Sequence, residues 1–109
     1  MAVLFGLKAC DTCRKAAKAL ETKGISVEFR DVRADPLSAE VIERFLATFG
    51  AELVNRRSTT WRGLDEKTRA GDVKYLLSAH PALMKRPVID RDGVLTLGWD
   101  KDVQAAHLG

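Results

Sequence analysis

Long hydrophobic runs are missing from this chain. No stretch approaches the ~20 apolar residues that cross a bilayer as a helix, so no membrane role is expected. The first apolar segment, Ala2 to Phe5, is too short for the core of a secretory leader and runs at once into Gly6-Leu7-Lys8. The expected compartment is the cytoplasm, where thiols stay reduced. Cysteine is scarce, at two in 109 residues, and with 46% hydrophobic residues the chain can bury a core without disulfide staples. Polybasic blocks and aromatic-interleaved basic stripes are also absent, and the net charge of +3 is spread along the chain. Nucleic acid is therefore not an expected partner. The two histidines, His80 and His107, stand far apart and out of ligand spacing with the cysteines, so no metal is expected.

What is present reads as alternating strands and helices. Ala2 to Phe5, closed by Gly6, fits a buried strand. Cys13, Ala16, Ala17 and Leu20 recur at helical spacing, with Gly24 as the stop. Ile25 to Val32 alternates as a half-buried strand, so the first thirty-odd residues form a βαβ unit with parallel strands. Asp35 or Ser38 can cap a helix with the stripe Ile42, Phe45, Leu46 and Phe49. Residues 51–70 are polar and weakly periodic. Asp72 can cap a helix presenting Val73, Leu76, Leu77 and His80 on one face, with His80 as a hydrogen-bonded core residue and Pro81 as terminator. Pro87 to Asp90, the turn Arg91-Asp92-Gly93, and Val94 to Leu97 read as a β-hairpin. Asp100 can cap a last helix through Val103, Ala106 and Leu108. The order predicts an α/β fold, βαβ then ββα, with a four-stranded mixed sheet. Trp61 and Trp99 read as packing anchors.

Cys10-Asp11-Thr12-Cys13 is a C-x-x-C pair between a strand and a helix. The unpaired N–H groups of a helix start carry partial positive charge and stabilise a thiolate, the form of cysteine that attacks. Cys10 is the candidate nucleophile. Lys8 can add to the effect, and Asp11 opposes it. Cys13 lies one turn on, in the apolar stripe, and is the candidate resolving thiol. The same residue is also explained as a small core side chain.

Leu4 to Ala16 around Cys10 resembles the first segment of the arsenate reductase family that couples to glutaredoxin, which also contains Spx-type transcriptional regulators and YffB-like proteins. Asn55 to Leu64 resembles its central arginine loop, nearest the YffB-like form, and Met84 to Ile89 its arginine-proline step. The resemblance implies a thioredoxin-like fold over residues 1–109, with a helical insertion at about 35–82 and a cis Arg86-Pro87 peptide facing Cys10. It implies anion binding by Arg57 and Arg86, with Arg56 competing for the alignment of Arg57. Pro87, Lys8 and Thr12 complete the candidate substrate-binding set. Two departures stand out. Gly98 occupies the place of a third oxyanion arginine, and both cysteines are present where YffB-like proteins often keep only the first. The expected activity is glutathione-dependent thiol reduction, with no tightly bound cofactor, through a mixed disulfide of Cys10 with glutathione or another small anionic thiol. Glutaredoxin is a candidate partner, and the sequence does not specify the electron donor. The alternatives are a redox regulator that binds RNA polymerase and a weak arsenate reductase.

Overall fold

A computed structural model describes residues 1–109. The first apolar run forms β1 (Ala2–Gly6), in which Ala2, Leu4, Phe5 and Gly6 are all buried. Helix α1 (Asp11–Thr22) follows. It buries the expected stripe, Cys13, Ala16, Ala17 and Leu20, and stops where Gly24 turns the chain at φ 86°. Strand β2 (Val27–Asp31) starts two residues later than its apolar pattern suggests, and lies parallel to β1 with Leu4 opposite Phe29. β3 (Val88–Arg91) runs antiparallel to β1, and β4 (Val94–Leu97) antiparallel to β3. The sheet order is β2-β1-β3-β4, the mixed arrangement the element order predicts. Asp92 and Gly93 take φ 53° and 87°, the left-handed pair that a tight hairpin needs.

The chain divides into two compact units. One holds Met1–Val32 and Arg86–Gly109, and the other Arg33–Lys85. In the first, Ala2, Leu4 and Ile89 of the sheet pack on the buried stripe of α1, joined by Ile25, Val27, Phe29, Trp99 and Leu108. Burying one Leu-sized side chain contributes about 1.5–3 kcal/mol, so this seam is what holds α1 to the sheet. The last helix, α6 (Lys101–Leu108), is capped by Asp100, whose carboxylate accepts from the Val103 N–H at 2.9 Å. Its inward face differs from the expected one. Ala106 is exposed and His107 is buried, because the imidazole Nε2 meets Thr96 Oγ1 at 2.8 Å and the ring stacks near Trp99.

The second unit builds on α2 (Ala39–Phe49), capped by Ser38 through the Val41 N–H at 3.2 Å. Ile42, Phe45, Leu53, Val54, Leu76, Leu77, Leu83 and Met84 are its buried hydrophobic side chains. The polar stretch 51–70, which shows no long periodicity, folds into two single-turn helices, α3 (Thr59–Arg62) and α4 (Glu66–Arg69). Ser58 and Asp65 cap them through the Trp61 and Thr68 N–H groups. Four-residue helices are too short to leave an amphipathic signature. Helix α5 (Val73–Ala79) starts at Asp72 as expected, but His80 does not lie on its apolar face. The helix ends one residue earlier, and His80 is its half-buried C-cap at φ −131°, because Pro81 follows and disfavours a helical residue before it.

Candidate active site

Cys10 is the N-cap of α1, with extended backbone at φ −86° and ψ 118° and a partly exposed side chain. The residues before it are pinned from several sides. The Cys10 N–H donates to the Leu7 carbonyl at 2.9 Å, and the Lys8 N–H donates to Asp31 Oδ2 at 2.9 Å. The Arg14 guanidinium donates to the Lys8 carbonyl at 3.4 Å and to the Asp11 carboxylate. The charge of Asp11, which by sequence opposes a thiolate at Cys10, is thus engaged by a cation one turn along. Asp31 and Arg14 have no motif of their own. They become site residues because the parallel β1–β2 pairing and the helical i, i+3 spacing bring them to the loop.

The two sulfurs are in very different states. Burial pushes the Cys10 thiol up, but this is outweighed by the Cys13 N–H, the Cys13 thiol and the Arg86 guanidinium, and the net result lies below the ordinary thiol value. Cys13 is fully buried and pushed up to about 12, chiefly by that burial, with the neighbouring Cys10 charge adding to it. Cys13 is therefore the protonated partner of the pair, and its thiol donates to the Cys10 sulfur, which favours the thiolate form of Cys10. The cation acting on Cys10 is Arg86, whereas Lys8 and Thr12 are exposed.

Arg86 reaches the site from the other half of the sheet. The Arg86-Pro87 peptide is cis, as the resemblance implies. Pro87 is fully buried, and its carbonyl accepts from the Gly98 N–H at 2.8 Å. Gly98 sits at φ 83° and is buried. Its one backbone donor is thus already used within the chain.

Gly6 has a reason beyond closing its strand. A Cβ there would collide with Cys13 Sγ. Gly6→Ala is expected to lose about 1–3 kcal/mol, the usual cost of overpacking, measured as a lower urea midpoint. Adding Cys13→Ala should recover most of the loss. If the double substitution unfolds as early as Gly6→Ala alone, the clash is not with the sulfur.

Arg57 belongs to the second unit. Its N–H donates to Asn55 Oδ1 and its carbonyl accepts from Arg62, while its exposed guanidinium makes no hydrogen bond or ion pair within the chain. Arg56 is different, because it donates to the Ala51 carbonyl and lies over Trp61, whose ring also has Arg69 5.7 Å from its centroid. Of the two adjacent arginines, Arg57 is the one left available for an anion. Trp61 is only half-buried and serves as a platform for two arginines rather than as a core anchor, while Trp99 does pack on the core.

The model of the ArsC family matches residues 5–106. The global transcriptional regulator Spx of Bacillus subtilis is 30% identical over 108 residues, covering 94% of this chain and 82% of the regulator. Among solved structures, a YffB protein is 35% identical, with a TM-score of 0.89 and 100% of both chains covered. An arsenate reductase-related protein from Brucella melitensis is 39% identical, with a TM-score of 0.75 over 97% of this chain and 92% of its own. The fold is thioredoxin-like, as these neighbours are. The family match runs from β1, through the Cys10 loop and the Arg86-Pro87 step, into α6; the chain belongs to the ArsC family.

Proposed function

We propose that this protein is a thiol-disulfide oxidoreductase in which Cys10 attacks and Cys13 resolves. The observation that carries the reading is the inequality of two adjacent sulfurs, one partly exposed at a helix start and shifted toward the thiolate by donors and a cation, the other buried and protonated. The Cys10 thiolate attacks one sulfur of a disulfide, the S–S bond breaks, and the second sulfur leaves as a thiolate. Once Cys10 is in a mixed disulfide, its negative charge is gone, and with it one of the contributions that keep Cys13 protonated. The Leu7 N–H and Arg86 then favour a Cys13 thiolate. Cys13 gives its proton to solvent, attacks the Cys10 sulfur, and expels the bound thiol as thiolate. The Cys10–Cys13 disulfide that results needs an external thiol to reduce it.

Glutathione suits the first partner, because a guanidinium fork matches a carboxylate. Arg86 is the guanidinium already beside Cys10. Arg57 is assigned the same role on its family motif and its unengaged head group. The test is a Cys13→Ser protein treated with oxidised glutathione. A glutathione adduct on Cys10 that accumulates there, and does not persist in the unmodified protein, is the expected result. Absence of any adduct on Cys10 would overturn the assignment. A second reading is favoured by the 30% identity to Spx together with the C-x-x-C pair. In it the Cys10–Cys13 disulfide is a redox signal and the partner is RNA polymerase. Retention of the protein on immobilised polymerase, dependent on its oxidation state, distinguishes it from turnover.

A further inference from the structure

Three cations on α1 and its C-cap take no part in the chemistry above. Lys15, Lys18 and Lys23 are exposed, and none of them is in an ion pair. Lys15, Lys18 and Thr22 share the face of α1 turned away from its buried stripe. With Ala19, Lys23 and Leu108 of α6 they line a shallow groove of about 580 Å³. The lysine stems and Leu108 give it an apolar floor, and the ammonium groups rim it with positive charge. Resting on the reading of Cys10 as the nucleophile, we propose that this groove docks an acidic segment of the protein whose disulfide Cys10 attacks, an apolar side chain of that segment filling the floor and flanking carboxylates meeting the lysines.

Distance decides between a protein and a small thiol. At 1.5 Å per residue, Lys15, Lys18 and Lys23 lie roughly 7, 12 and 20 Å along the helix axis from Cys10. A tripeptide thiol bonded to Cys10 does not reach all three. A protein footprint of about 800 Å² is roughly 30 Å across and covers the thiol and the groove together. The charge sign selects an acidic partner and would speed its encounter at low salt. The apolar floor favours a side chain over a phosphate backbone, which would leave it empty.

The test uses the full chain and three synthetic cysteine peptides, each activated as a mixed disulfide with 5-thio-2-nitrobenzoate. One carries several glutamates around a leucine, the second replaces the glutamates with glutamines, and the third replaces the leucine with serine. Attack by the Cys10 thiolate joins Cys10 to the peptide sulfur and releases the coloured thiolate, which reports the rate. The acidic leucine peptide should react about 5–10-fold faster than the glutamine peptide at low ionic strength, an advantage largely lost at high salt. Its serine counterpart should fall between them. Lys15→Gln/Lys18→Gln/Lys23→Gln should bring acidic and neutral peptides to nearly equal rates without slowing the neutral one. Lys67→Gln/Lys101→Gln, which removes charge elsewhere, should keep most of the advantage. Equal rates in the unmodified protein, or an advantage that survives the triple substitution, would overturn the docking surface. So would suppression of the acidic peptide's advantage by a single-stranded oligonucleotide at concentrations where a thiol-free acidic peptide does not compete. Failure of Cys10 to react with any of the peptides would instead overturn the thiol chemistry on which the proposal stands.

Discussion

Iodoacetamide at pH 7 is expected to label Cys10 at least about 50-fold faster than Cys13. With a thiol at about 12, only ~10⁻⁵ of Cys13 is thiolate at that pH. Even an unperturbed thiol near ~8.5 would be about 3% ionised, and Cys10 lies on the low side of the ordinary value. The ratio of thiolate fractions is thus above roughly 10³. A more basic thiolate is also a better nucleophile, with a Brønsted coefficient near ~0.45, which returns about a factor of 40 to Cys13. The remainder still favours Cys10, and the complete burial of Cys13 adds to it. The pH profile fixes the cause. A depressed thiol reaches its plateau of reactivity at lower pH, and Arg86→Gln removes both a hydrogen bond and a positive charge that depress it. The profile of Cys10 should therefore move to higher pH in that variant. Peptide mapping after timed labelling gives both results. Equal rates for the two cysteines, or faster labelling of Cys13, would reverse their assigned roles. A profile that Arg86→Gln leaves in place would remove Arg86 from the site.

The second large effect concerns arsenate. An oxyanion entering a partly dry site needs donors to replace its water. Arg86, beside Cys10, can supply some of them, but where the family resemblance implies a further oxyanion arginine this chain has Gly98. Losing one charge-assisted contact costs about 1.5–3 kcal/mol, or roughly 10- to 150-fold in affinity, and as much again if the contact strengthens in the transition state. The Gly98 backbone does not substitute, since its N–H is taken by the Pro87 carbonyl at 2.8 Å. Steady-state arsenate reduction, with glutathione and glutaredoxin supplied, is therefore expected to be weak or undetectable.

Sequence alone suggests Gly98→Arg as the repair. The structure argues against it, because Gly98 is at φ 83° in a buried position. A side chain there costs about 1–3 kcal/mol in backbone strain, before the burial of a guanidinium is counted. Gly98→Arg should lower the urea midpoint and disturb the Pro87 loop rather than install oxyanion binding. Arsenate turnover by the unmodified protein at the rate of a dedicated arsenate reductase would sink this prediction, as would a stable Gly98→Arg protein with tighter oxyanion binding.

What the sequence determined by itself is what short-range chemistry dictates. The stripe Cys13-Ala16-Ala17-Leu20 sets the buried face of α1, and the caps Ser38, Asp72 and Asp100 set three helix starts. Asp92-Gly93 sets the hairpin, because left-handed φ is needed at that point and nowhere beside it. Cys13 as the more buried sulfur follows from its place in that helical stripe. The family motifs added the cis Arg86-Pro87 peptide, which no local propensity announces. The tertiary structure decided what depends on groups distant in sequence. Asp31 holds the Lys8 N–H because β1 and β2 pair in parallel register. Arg86 acts on a sulfur 76 positions earlier because β3 returns beside β1. The separation of the two thiols is of the same kind. Cys10 and Cys13 share one residue type and one turn of helix, and what sets them apart is which is desolvated and which meets a cation. Periodicity ranks their burial, but the cation is a property of the packed surroundings, and no window of sequence around the motif contains it.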